Sequence, residues 1–149
     1  MYRAASPSSL KWEYVGGTAL YSEIPGQEQG PNSTVYGALA TAGPSIALPL
    51  AGDYMVEIGC RSYATANGQS GWMSYDIGGT AAVDADSINY FGGDSFNAAA
   101  GGTVAPIQAR ARRKNGLAAV TLTAKYKCGT ANVIWWSSRW LRVTPVRVG

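Results

Sequence analysis

The chain has 149 residues, of which 46% are hydrophobic and only 14% charged, with a net charge of +3. That length allows one ordinary domain with a core that needs no disulfide or metal staple. The charge, well below the roughly 25% usual for soluble domains, is too sparse to cover a free monomer, so buried subunit contacts are expected. With no histidine in the chain, Ser-His-Asp and Cys-His nucleophiles and HExxH zinc sites are excluded. No apolar run nears the ~18 residues of a membrane span, and a mild positive charge is a weak case for nucleic acid.

Nineteen glycines, nine tyrosines and five tryptophans against two phenylalanines give the turn-rich, aromatic profile of an all-β protein. In chain order, Leu10, Trp12 and Tyr14 alternate with Lys11, Glu13 and Val15, which predicts a strand with an aromatic face after a Ser/Pro-containing arm. Residues 1–17 are read as this arm and first strand, and residues 18–149 as one domain. Ala19 to Ile24 suits a short strand, and Pro25 to Pro31 a loop, because its prolines and glycines deny ladder bonds. Asn32-Ser33-Thr34 fits a glycosylation sequon, discounted because the N-terminus lacks signal-peptide regions. Ser45 to Leu50 reads as an edge strand.

The clearest strand is Tyr54 to Arg61, in which Tyr54, Val56, Ile58 and Cys60 face one way and Met55, Glu57, Gly59 and Arg61 the other. A polar loop, Ala64 to Gly71, precedes a strand over Trp72 to Ile77. Thr80 to Ala100 mixes loop with a short strand around Ser87 to Phe91, and Val104 to Arg110 suits another. Arg110, Arg112 and Lys114 alternate and read as a solvated strand face ahead of a hairpin turn at Asn115-Gly116. Beyond it, Leu122, Ala124, Tyr126 and Cys128 share one face, and Thr121, Thr123, Lys125 and Lys127 the other. In the final strand, Leu141 and Val143 lie with Arg139, opposite Trp140, Arg142 and Thr144. About eight short strands at these spacings predict a sandwich or closed double sheet. Cys60 and Cys128, with no CxxC and no histidine near them, are read as buried free thiols.

The segment Lys11 to Gly17 resembles one that recurs in tail-fibre and minor tail proteins of bacteriophages ahead of a C-terminal globular domain. That domain is itself similar to this chain at Ala51 to Glu57, Ser74 to Gly79, Gly116 to Ala119, Leu122 to Tyr126 and Arg139 to Val146. The resemblance implies an eight-stranded jelly-roll sandwich of the tumour-necrosis-factor-like kind, forming a homotrimer on a virion assembled in the host cytoplasm. A non-enzymatic tail-fibre tip in host attachment is the expected role, with a capsid decoration protein that stabilises the head as the alternative. Fibre polypeptides of this kind are longer, so either an excised tip or a small standalone protein is expected. Its partners would be other virion proteins and a host-surface glycan or protein.

No catalytic residue, cofactor or metal ligand is assigned. Asp76, Asp84, Asp86 and Asp94 are the carboxylates a glycan-cleaving pair could use, but Asp-rich loops are ordinary turn chemistry. Asp84-Ala85-Asp86 lacks the twelve-residue calcium-loop pattern. Trp72, Tyr90 and Phe91 are the aromatics expected to meet a ligand. Trp12, Tyr54, Tyr75, Trp135, Trp136 and Trp140 are assigned to the core or to subunit contacts, with no division between the two.

Overall fold

The alternation that marks each strand also fixes which face it buries, and the computed structural model assembles those faces into two antiparallel sheets around a shared core. The residues described are 19–64, 69–91, 108–129 and 134–148, without the side chains of Tyr90 and Phe91. The strand predicted over Leu10 to Val15, with Trp12, lies outside them, as does Asp94. The elements are β1 (Leu20–Ile24), β2 (Glu28–Gln29), β3 (Ser45–Ala47), β4 (Gly52–Ala64), β5 (Ser70–Ile77), a 3₁₀ turn (Asp84–Asp86), β6 (Ile88–Phe91), β7 (Gln108–Leu117), β8 (Thr121–Cys128) and β9 (Ile134–Val148). Among the described residues there is no α-helix, and the fold is all-β.

The first sheet runs β1-β9-β4-β7, with β2 also paired to β9, and the second runs β3-β8-β5-β6. Their inner faces carry the predicted sets. Tyr54, Val56, Ile58 and Cys60 from β4 meet Leu122, Ala124, Tyr126 and Cys128 from β8, all buried, together with Met73, Tyr75, Leu141 and Val143. Both cysteines are buried, the Cys128 thiol donating to Pro31 O at 2.8 Å, and burial pushes the Cys60 thiol up to about 12, Arg139 nearby pulling only weakly the other way. The long segment between β2 and β3 straps the core with backbone carbonyls. Gly30 O accepts Trp136 Nε1 at 2.5 Å and Gly43 O accepts the Tyr126 hydroxyl at 2.9 Å, giving these buried aromatics the polar partners they need.

Three expectations are corrected. Pro25 to Pro31 is not all loop, because Glu28 and Gln29 pair with Trp136 and Trp135. Asn115-Gly116 is not a hairpin turn, since β7 pairs with β4 and β8 with β3 and β5, in different sheets. Gly116, at φ +63°, instead sits opposite the register shift between Gly52 and Tyr54, where a left-handed residue is needed. Arg110, Arg112 and Lys114 are not given over to solvent, although Arg112 stays exposed and the other two are half-buried. They pair across from Ile58, Val56 and Tyr54, so they point to the inner side of edge strand β7 and grip the turn of the second sheet. Arg110 Nη1 donates to Ser87 O at 2.7 Å, Arg112 donates twice to Ala85 O at 3.0 and 2.6 Å, and Lys114 pairs with Asp86. Arg139, which alternation places with Leu141 and Val143, is fully buried beside them.

Candidate assembly face

The structure divides the aromatics that sequence left together. Tyr54, Tyr75 and Trp136 are core, at 0%, 2% and 1% exposed. Trp135 and Trp140 lie on the outer side of the first sheet. The division comes from a bulge in β9. Gly59 pairs with Trp140 but Arg61 with Ser137, so one extra residue is inserted around Ser138, whose φ is +46°. A β-bulge shifts the in-out alternation by one. Hence Ile134 and Trp136 face the core before it, and Arg139, Leu141 and Val143 after it.

The outer face that results carries two aromatic pairs. Tyr21 stacks on Trp140 with centroids 6.4 Å apart, and Trp140 lies across Gly59, where an added Cβ would sit 2.3 Å from its ring. Past the bulge, Tyr63 and Trp135 are parallel within 5° at 6.0 Å, with Gln27 Nε2 donating to the Tyr63 hydroxyl at 2.6 Å. Between and beside them Arg142 faces Glu57 at 3.5 Å, and the Tyr21 hydroxyl, 57% exposed as a residue, donates to Glu23 Oε2. Large rigid aromatics offer contact area at low entropic cost.

The residues expected to meet a ligand are neighbours in the second sheet. Trp72 pairs with Asn89, Gly71 with Tyr90 and Ser70 with Phe91. The indole of Trp72 is already engaged, because Lys127 Nζ lies 5.0 Å from its centroid and 4.8 Å from that of Tyr36. Lys127 is held there by Asp84 at 2.6 Å, and Asp84 also accepts the Tyr36 hydroxyl at 2.9 Å.

The candidate acids are engaged too. Asp76 pairs with Lys125 at 3.3 Å, Asp84 with Lys127 and Asp86 with Lys114. Hydrogen bonds from Lys127 and Tyr36 hold the Asp84 carboxyl below the usual range, the opposite of the raised pKa a general acid needs. Among the described residues no three potential ligands gather to hold a metal ion.

No family model and no curated protein sequence matches the chain. Among solved structures, dimeric latent PorU from Porphyromonas gingivalis aligns over 97% of this chain at 13% identity and a TM-score of 0.45. The chain spans 15% of that protein's length. A carbohydrate-binding module (CBM6cm-2) of Cellvibrio mixtus lichenase 5A, in complex with cellotriose, aligns over 83% of this chain and 98% of its own at 14% identity and a TM-score of 0.34.

Proposed function

We propose that this chain is a non-enzymatic bacteriophage virion protein, an eight-stranded jelly roll that assembles as a homotrimer and serves as a tail-fibre tip in host attachment. With the two-residue β2 set aside, the strand orders β1-β9-β4-β7 and β3-β8-β5-β6 make every connection but that from β5 to β6 cross between sheets. Such crossings support the winding of a double Greek key, an architecture used in viral capsid and lectin domains. The likeness of several segments to phage fibre domains points the same way.

The observation that carries the assembly reading is the outer face of the first sheet, with Tyr21 on Trp140 and Tyr63 on Trp135. In a threefold ring each subunit offers two different surfaces to its neighbours and the contact closes on itself. The aromatic face supplies one of them. Light scattering on the eluting protein is expected to give three times the chain mass, and the Tyr21→Ser/Trp140→Ser pair to give a folded monomer. A monomeric wild type would end the trimer reading. Role is tested separately: labelled protein is expected to adsorb to host cells and block infection, whereas attachment to undecorated heads would favour the decoration role.

A further inference from the structure

The corner of β7 holds a dipeptide with chemistry of its own. In an Asn-Gly pair the glycine nitrogen can attack the asparagine Cγ. The N–Cγ bond forms, the Cγ–Nδ2 bond breaks, and the side-chain nitrogen leaves as ammonia with the proton that the attacking nitrogen gives up. Water then opens the cyclic imide to aspartate or to isoaspartate, the latter carrying the main chain through one extra methylene. Glycine suits the reaction because no side chain shields its nitrogen.

Asn115 and Gly116 are both exposed, so water reaches them. Both reacting groups are nevertheless held by other partners. The Gly116 N–H donates to Asp53 Oδ1 at 2.9 Å, and Arg113 Nε donates to Asn115 Oδ1 at 2.9 Å. Asp53, itself buried, is tied to Arg113 at 3.2 Å, so one ion pair fastens nucleophile and electrophile alike. Arg113, two residues before Asn115, holds the carboxamide oxygen, so the side chain is not free to turn onto the nitrogen that must attack it.

We propose that Asn115-Gly116 is a latent site of spontaneous isoaspartate formation, kept shut by the Asp53–Arg113 pair and opened when this corner of β7 frays. The product would set a second carboxylate beside Asp53, with Arg113 shared between them. The added methylene would displace Leu117 from Gly52, its ladder partner. The reaction uses none of the stacked aromatics Tyr21, Trp140, Tyr63 and Trp135, so the inference stands or falls independently of the trimer.

The test is peptide mapping by mass spectrometry during incubation at mildly alkaline pH, following loss of the carboxamide at Asn115. Native protein is expected to convert ~10-fold or more slowly than the same chain in urea, the scale set by charge-assisted hydrogen bonds that must open first. Arg113→Ala, at a half-exposed side chain, and Asp53→Ala are each expected to speed conversion in the folded state, with melting followed in parallel. Equal rates in native and unfolded wild type would overturn the proposal without any variant. So would faster conversion in the native state, which would make Asp53 and Arg113 promoters of the reaction. An unchanged rate in a folded Arg113→Ala protein would also overturn it.

Discussion

Arg139, fully buried on β9, holds the Glu28 carboxylate of β2 at 2.7 Å. The guanidinium also lies over the Tyr126 ring at 5.7 Å and reaches Thr41 O at 3.4 Å, while Glu28 Oε1 accepts the Thr41 amide at 2.8 Å. The pair therefore pins both ends of the strap that closes the core, but unequally: Arg139 has no access to solvent, whereas the Glu28 side chain keeps 20% of its surface exposed. Glu28→Met strands a buried charge and is expected to cost about 3–5 kcal/mol. Arg139→Met leaves a carboxylate that can reach water and should cost less. The double variant should recover much of the loss, as a double-mutant cycle in urea will show.

The same pair predicts an acid limb. Burial raises the Glu28 carboxyl pKa, but the Thr41 hydrogen bonds and the Arg139 charge outweigh it, and the net value is lowered. A carboxyl whose folded pKa is lowered contributes stability that is present above its ordinary pKa and is lost as pH falls through the folded value. Melting temperature should therefore drop on acidification through and below the ordinary carboxylate range. Arg139→Met should flatten that drop, and an equally steep limb in the variant would contradict the assignment. Asp84, lowered in the same direction, is largely exposed and should contribute little.

Gly59→Ala tests how the outer face is built. Its Cβ would overlap the Trp140 ring, so the indole must lift and the Tyr21 stack must break. The expected cost is about 1–3 kcal/mol in chemical denaturation, the usual penalty for overpacking. Loss of the trimer should accompany it. An unaltered melt would mean that Trp140 is free to move and that the stack is incidental.

Much of the core was legible because alternation needs no knowledge of neighbours. Tyr54 to Cys60 and Leu122 to Cys128 bury the residues their period demanded. What periodicity lacks is sheet membership and register. Asn115-Gly116 carries a hairpin signature, yet it lies inside β7, the next strand belongs to the other sheet, and glycine's positive φ serves a register shift instead. Arg110, Arg112 and Lys114 alternate as a solvated face would, but edge strand β7 turns them inward onto carbonyls that only the fold brings near. Trp135 and Trp136 could not be told apart because the bulge at Ser138 resets the alternation partway along β9. A polar Ser137-Ser138-Arg139 interrupting an apolar strand was the available signal.

Tyr75 gives a prediction of opposite sign. Its hydroxyl is buried without a hydrogen-bond partner among the described residues, and burial pushes the phenol pKa well up. Tyr75→Phe should be neutral or stabilising, by up to about 1 kcal/mol, since it removes an unpaid desolvation. Tyr126→Phe, which deletes the bond to Gly43 O, should instead cost about 1 kcal/mol. Parallel thermal melts of the two variants check this, and a clear loss in Tyr75→Phe would reveal a partner for that hydroxyl.

The inward cations of β7 should act locally. Arg112 makes two hydrogen bonds to Ala85 O, within the 3₁₀ turn whose own bonds run from Asp86 N to Val83 O and from Ser87 N to Asp84 O. Two charge-assisted bonds on one carbonyl, partly exposed, are worth about 1.5–3 kcal/mol. In Arg112→Ala, amide hydrogen exchange at Asp86 and Ser87 should quicken by ~10-fold or more, the loss of one such bond being enough for that. Protection in β4 and β8 should hold, because their core faces are untouched. Lysine at the same position keeps the charge but cannot present two donors in one plane, so Arg112→Lys should fall between wild type and alanine. Equal exchange in all three proteins would show that Arg110 and Lys114 alone hold the turn.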